Sequence, residues 1–168
     1  MASGVNENMK SLTYAMFSKE DASRSKAEFW TAFGKYMRPI PSADGEKINW
    51  VNYHTGLKDV YFRMDAGSKL ATISITMEHR DTLMQELYFD QFVMLKRMLH
   101  TAVGETWEWQ LHVSVQEDKV VSRIYKTLPD FSVFNKAHWP DLISFFKPRI
   151  IALDAFWAEA KYSFEGVG

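Results

Sequence analysis

The sequence contains no cysteine, and this absence removes several classes of function. A chain without thiols has no disulfide, no thiolate nucleophile and no cysteine-ligated zinc, and nothing in it indicates an oxidising compartment. Long apolar runs are also missing. No segment approaches the roughly 20 apolar residues of a membrane-spanning helix, and residues 1–23 contain no apolar stretch of signal-peptide length. We therefore expect a soluble, cytoplasmic protein.

The sequence also lacks an excess of charge of either sign. Its 20 Lys and Arg residues face 21 Asp and Glu residues, which leaves a formal net charge of -1. A chain with this balance has no overall field that would draw in nucleic acid or an anionic membrane. Binding to nucleic acid would then require a local basic patch.

The common motifs of enzymes and cofactor-binding proteins are absent as well. The chain has no glycine-rich phosphate-binding loop and no Gly-x-Ser-x-Gly turn around a nucleophilic serine. Its histidines are scattered, with no pair placed to share a metal ion; they are His54, His79, His100, His112 and His138. We therefore expect no cofactor, no metal and no catalytic site, and we favour a protein that is not an enzyme.

Aromatic residues, in contrast, are abundant. They make up 15% of the chain and include 6 Trp and 12 Phe. A chain of 168 residues fits a single domain that buries most of its surface on folding. Because six tryptophans are many for one core of this size, we predict that part of this apolar surface lies in the interface of a homodimer.

The first half of the chain predicts a tail, one helix and three strands. We interpret residues 1–17 as an N-terminal tail and residues 18–168 as one domain, with Ser18 at the start of a helix that ends before Pro39. The strands are "INWVNY", "VYFRMD" and "LATISITM", and the last of these alternates apolar and polar residues with a period of two. Such alternation is typical of a strand that is buried on one face.

The second half predicts a helix, a hairpin and a final helix. The second helix begins after Asp81 and ends at Gly104, with Leu87 on its packed stripe. "WEWQLHVSV" and "VVSRIYK" form the hairpin, with Leu111 and Val115 among its inward side chains, and the last helix follows Asn135. The order α-βββ-α-ββ-α favours an α+β fold, in which three main helices pack on one face of an antiparallel sheet of about five strands.

The segment "FFKPRIIALDAFWAEAKY" lies close to a pattern that resembles a nuclease site. Metal-dependent nucleases combine a Pro-Asp pair with a later Asp or Glu two residues before a lysine. Asp141 and Glu159 stand in such contexts here, and Asp130, after Pro129, is a second upstream candidate. The first two lie in one predicted helix, where 1.5 Å per residue separates them by roughly 30 Å. We therefore reject a nuclease site and predict a core helix with one solvated edge that includes Asp154.

The sheet face opposite the helices is the candidate binding surface. The alternation directs its side chains outward, with either Arg123 or Tyr125 added according to the strand register. Exposed tyrosine beside arginine is typical of single-strand nucleic-acid binders, but we favour a solvated structural face, because Glu108 opposes a polyanion. The candidate residues are Tyr53, Tyr61, Arg63, Gln110, His112 and Arg123, together with Thr72, Ser74 and Glu108.

Several segments of the sequence are similar to one known family. "AEFWTAFGKYM", "GEKINWVNYHTGLKDVYFRMD", "QELYFDQFVMLK", "WEWQL", "SRIY" and "WPDLISFFKPRIIALDAFW" resemble the bacterial family catalogued as domain of unknown function 4268. The resemblance implies a bacterial source, no assigned activity and no catalytic residues. It also implies a connection to nucleic acid or defence, because larger members carry a restriction-endonuclease-like domain that the short, free-standing members lack.

Together these observations lead to two expectations. The first is a non-enzymatic interaction or accessory module that forms a homodimer and has a protein partner. The second is an accessory domain that binds nucleic acid through the open sheet face and works with nucleases or in defence. A flat face with balanced charge would favour the first, and a basic patch around Arg63 and Arg123 would favour the second.

Overall fold

The computed structural model describes residues 3–168, with side chains from residue 19 onward. These residues form an α+β fold of four α-helices and four strands. The helices are α1 (Ser3–Met37), α2 (Thr82–Met94), α3 (Lys96–Val103) and α4 (Trp139–Ala160), and the strands are β1 (Val60–Ala66), β2 (Leu70–Met77), β3 (Glu108–Gln116) and β4 (Lys119–Pro129). Short 3-10 helices, Lys136–His138 and Lys161–Phe164, flank α4.

The strands form one antiparallel sheet in the order β1-β2-β4-β3. This confirms the predicted α+β class and antiparallel pairing, but the described residues contain four strands rather than five. The predicted strand "INWVNY" is wrong, because the Asn49 side chain accepts hydrogen bonds from the backbone nitrogens of Val51 and Asn52, each at 3.1 Å. A side chain that closes such a turn competes with strand pairing.

The β3–β4 hairpin turns at Asp118, as the sequence predicted, but β3 differs from its predicted pattern. The register between the two strands shifts after Gln110, and His112 takes a positive φ of 50°. This arrangement is a β-bulge on the outer strand of the sheet. Leu111 and Val115, both predicted to face the core, are therefore exposed.

The helix boundaries confirm several sequence signals and correct others. Asp81 caps α2 through a 3.0 Å bond from the Leu83 nitrogen, and Gly104 ends α3 with a φ of 67°, both as predicted. The second helix was predicted as one continuous helix, but Leu95 divides it into α2 and α3. The first helix begins at Ser3, so the start predicted at Ser18 is wrong. The division into a tail and a domain stays a prediction, and residues 1–2 lie outside the described residues.

The final helix is continuous through Pro148. Proline has no N–H and weakens the bonding of the preceding turn. Next to the proline, the Arg149 side chain donates a 2.9 Å bond to the Phe145 carbonyl oxygen and a bidentate pair to Glu105 at 2.7 and 3.0 Å. Asn135, predicted as the cap of this region, accepts a 3.0 Å bond from the Ala137 nitrogen in the 3-10 helix that leads into α4.

The core is rich in aromatic side chains, as predicted, and lies between one face of the sheet and the helices. Phe29 and Phe33 of α1 meet Phe146 of α4, while Phe92 of α2 meets Trp157. The inward residues of β2 close this layer and are buried; they are Ala71, Ile73, Ile75 and Met77. Among the described residues, no helix combines the length and apolar character needed to cross a membrane.

Candidate functional site

The open face of the sheet brings together four of the six candidate residues. The strand register places Tyr61 of β1 and Arg123 of β4 on either side of Thr76, and Gln110 of β3 directly opposite Arg123. Arg63 lies on the same face, two residues after Tyr61. Tyr125 lies there too, so the predicted choice between Arg123 and Tyr125 is resolved in favour of both.

Both arginines on this face are already held by neighbouring side chains. The Arg63 guanidinium lies 4.2 Å above the Tyr61 ring, and its Nε donates to Glu78 Oε2 at 2.6 Å. The Arg123 guanidinium lies 4.5 Å from the Tyr125 ring, and its Nε donates to Gln110 Oε1 at 2.8 Å. Each arginine is therefore stacked on a tyrosine and fixed by an acceptor, which limits its freedom to capture a new ligand.

Glu78 is the electrostatic centre of this face, and its role was not predicted from the sequence. Its carboxylate accepts from Arg63 and from Thr76 at 3.0 Å, and it pairs with Lys119 at 2.7 Å, while its side chain is only 9% exposed. Burial alone would raise the pKa of Glu78, but the bonds from Arg63 and Lys119 outweigh it and hold the pKa below its ordinary value. Glu78 directly follows β2, and the pairing of β1 with β2 brings Arg63 within reach of its carboxylate.

The open face is balanced in charge. Its three cations are Arg63, Arg123 and Lys119, and Glu78, Glu108 and Asp65 supply three carboxylates. Glu108 accepts a 2.6 Å bond from the Tyr125 hydroxyl, and this bond raises the pKa of Tyr125, with burial adding to the effect. The face therefore lacks the basic excess that would attract a polyanion.

Two candidate residues lie elsewhere. His112 sits in the bulge of β3, and its ring Nε2 is 2.9 Å from the Thr82 carbonyl oxygen at the start of α2. Tyr53 lies in the segment that joins α1 to β1, where its hydroxyl donates a 2.6 Å bond to Asp154 on α4. Period-two alternation could not place either residue, since one lies at a register shift and the other outside any strand.

Asp154 is buried, so the predicted solvated edge of α4 is wrong at this position. Its side chain accepts from the Tyr53 hydroxyl on one oxygen and from the Ala43 nitrogen on the other, at 2.6 and 2.7 Å, and the residue is 5% exposed. Burial and the bond to Asp154 raise the pKa of Tyr53 far above its ordinary value. Trp157, one turn later, donates a 2.8 Å bond to the Thr55 carbonyl oxygen. These contacts fasten the α1–β1 connection to α4.

A cavity of about 350 Å³ borders this cluster, with Lys161 and His54 on its rim. A general base needs a carboxylate with a free oxygen directed at its substrate. Both oxygens of Asp154 are engaged, so the arrangement fits an anchor rather than a catalytic group. Among residues whose side chains are described, no three His, Asp or Glu residues gather as a metal site would require.

The outer side of α2 forms the second candidate surface, which we call the α2 stripe. Four large apolar side chains are left in solvent there: Leu83 is 66% exposed, Leu87 44%, Val93 45% and Met94 79%. Leu87 was predicted to face the core, and that prediction is wrong. Leu83 and Leu87 lie one turn apart and Val93 and Met94 are adjacent, with exposed Asp90 between the two pairs. Exposed apolar patches are typical of interaction sites.

A buried polar side chain explains why these leucines face outward. Gln85 is fully buried, and its Nε2 donates to the carbonyl oxygens of His79 and Val120 at 3.0 and 3.1 Å. Its Oε1 accepts a 2.7 Å bond from Ser122 of β4. Since Gln85 faces the sheet, side chains two residues to either side are turned away from it. Sequence periodicity favours leucine over glutamine for the inner face and therefore missed this orientation.

Comparison with protein families identifies a match over most of the chain. A family model described as "Domain of unknown function (DUF4268)" matches residues 25–161. No curated protein and no solved structure gives a significant match. The match covers β1 to β4, α2 to α4 and the C-terminal part of α1, so both candidate surfaces lie inside it.

Proposed function

The chain belongs to the DUF4268 family, and we propose that it is a non-enzymatic interaction module that pairs with a second copy of itself. The α2 stripe carries this proposal. Fully burying one side chain of this type contributes about 1.5 to 3 kcal/mol, and four such groups are partly or largely exposed along α2. Association itself costs at least about 4 kcal/mol, which burial of these side chains on both copies can offset.

The charge of the open face supports the same proposal. A single-strand binder needs unengaged cations and free aromatic rings, whereas Arg63 and Arg123 are each stacked and hydrogen-bonded within the face. Its three carboxylates also balance its three cations. A face of this kind can bind another protein, but it does not attract a polyanion.

Sedimentation velocity across a concentration series from about 1 µM to about 500 µM tests self-association. We expect the native chain to shift from monomer to dimer, and Met94→Glu to remain a monomer because it places a charge in the apolar contact. Leu70→Glu is the matched control, since Leu70 is also an exposed leucine but lies at the start of β2. A native chain that stays monomeric throughout the series would refute the homodimer.

Binding of labelled single- and double-stranded DNA and RNA, followed by fluorescence anisotropy in a salt series, tests the second expectation. We expect no saturable, salt-sensitive binding. Phosphate contacts release counterions, so true binding would weaken steeply with salt. If such binding occurs and is lost in the Tyr61→Ala, Arg63→Ala double variant, the module is a nucleic-acid accessory domain instead.

A further inference from the structure

The charged residues along α2 and α3 follow a definite order. Glu86 and Asp90 lie in α2, toward the N-terminal end, and Lys96 and Arg97 begin α3. Asp90 and Arg97 are exposed, and neither forms an ion pair among the residues whose side chains are described. On the surface that carries the α2 stripe, Asp90 therefore lies before Met94 and Arg97 after it, whereas Lys96 lies over the Trp109 ring.

The exposed residues of these two helices also follow the spacing of a helix–helix contact. Intervals of four and three residues alternate along the series, as in the seam of a coiled coil, and the series passes from α2 to α3 at Leu95, which belongs to neither helix. Every member is exposed, so the seam faces solvent from the start of α2 to the end of α3. The series is Leu83, Leu87, Asp90, Met94, Arg97 and Thr101.

We propose that a second copy of this chain packs antiparallel across this seam, with the twofold axis near Met94. The proposal rests on the function proposed above and specifies its geometry. In the antiparallel arrangement, Arg97 of each copy reaches Asp90 of the other, and Glu86 of the second copy lies one turn further along. A parallel arrangement would set Asp90 against Asp90 and Arg97 against Arg97, which is repulsive.

The surroundings of Met94 fit a position at the axis. Met94 is the most exposed of the apolar side chains on the seam and lines a cavity of about 560 Å³ between α3 and α4, together with Met98 and Phe156. Methionine is unbranched and adapts to irregular apolar surfaces. An isologous contact uses the same patch on both copies, so Met94 of the second copy would have this cavity within reach, which Arg97, Thr101 and Glu159 also line.

Charge reversal tests the predicted cross-pairing. Asp90→Arg and Arg97→Asp should each raise the dimer dissociation constant at least about tenfold, because each creates like charges across the seam twice. The double variant restores opposite charges and should return to within about threefold of the native value. Both positions are exposed, and equal melting temperatures confirm that the variants fold. If the double variant is as weak as the single ones, the pairing is wrong.

The absence of cysteine permits a second, independent test of direction. Met94→Cys should cross-link to itself with a short bismaleimide, since the two copies of this position meet near the axis. Leu83→Cys should not cross-link to itself, whereas Leu87→Cys should cross-link to Thr101→Cys when the two proteins are mixed, because the axis near Met94 sets these two positions opposite each other. Self-cross-linking of Leu83→Cys would instead establish a parallel arrangement and refute the proposal.

The outcomes separate the two proposals. If the native chain never dimerises, the function proposed above fails. If it dimerises and Met94→Glu abolishes the dimer, but the charge reversals have no effect, the module stands and the antiparallel pairing fails. If Met94→Glu leaves the dimer intact, another surface makes the contact and the seam is refuted.

Discussion

The bond between Tyr53 and Asp154 gives the sharpest prediction about stability. Tyr53→Phe removes one hydroxyl and leaves the ring, which packs on Phe62 at a centroid distance of 5.0 Å. The lost bond is 2.6 Å long and its acceptor is a buried carboxylate. A hydrogen bond to a charged group contributes about 1.5 to 3 kcal/mol. At roughly 2 to 4 °C per kcal/mol for a chain of this size, the melting temperature should fall by about 3 to 12 °C.

The pH dependence of this effect has a definite sign. Burial and the bond to Asp154 raise the pKa of Tyr53 above its ordinary value of 10.0. In the unfolded chain the hydroxyl ionises near that ordinary value, so the stability it contributes is fully present below about pH 10 and declines as the pH rises further. The difference between native protein and Tyr53→Phe should therefore narrow in strongly alkaline solution.

Urea unfolding followed by tryptophan fluorescence, at neutral pH and again above pH 10, measures both parts of the prediction. Tyr162→Phe is the matched control, because Tyr162 is exposed and its hydroxyl has no hydrogen-bond partner among the described residues. A Tyr53→Phe variant with the stability of the native protein at neutral pH would mean that the connection between α1 and β1 does not dock on α4 as described.

Three further predictions concern the core and the sheet. Gln85→Leu should lower the free energy of unfolding by about 3 kcal/mol, because it leaves buried hydrogen-bonding groups without partners; chemical denaturation checks this, with Gln91→Leu as the control on the same helix. Although burial would raise the pKa of Glu105, its bonds from Arg149 keep that pKa below its ordinary value. The stability it contributes is thus present above about pH 4.5 and lost in acid, and an acid titration of Glu105→Gln should be flatter than that of the native protein. Trp109→Ala should lower the free energy of unfolding by about 3 kcal/mol, because it truncates a large packed aromatic side chain. An unchanged melting temperature would contradict the packing of Trp109 on the core.

Local sequence signals predicted much of the fold. The strand "LATISITM" was predicted with both of its ends, because Ala71, Ile73, Ile75 and Met77 alternate with polar residues. The prediction that only one face of this strand is buried is wrong, since Ser74 and Thr76 on the other face are buried too. Asp81 and Gly104 were predicted as the two ends of the second helical region, because one accepts a backbone hydrogen bond and the other adopts a left-handed conformation. These features depend on residues within one or two turns of each other.

The errors lie where distant residues decide the outcome. Asp154 shares a helical arc with lysines, but the segment after α1 covers it. Leu87 has the spacing of a core residue, yet Gln85 turns that side of α2 toward solvent by bonding to β4. Tyr61, Arg63 and Arg123 lie on the open face as predicted, because strand alternation alone determines their side. The role of Glu78 depends on the pairing of β1 with β2, which brings Arg63 to its carboxylate.

The bulge at His112 has a consequence for the behaviour of the protein at high concentration. An outer strand that displays a regular row of unpaired N–H and C=O groups is a template for adding further strands, and this is how sheets grow into aggregates. The shift after Gln110 breaks that row in the middle of β3, next to the exposed Leu111 and Val115. Deleting His112 would remove this break and leave only the shift between Ser114 and Gln116, so precipitation on storage would be its first visible effect.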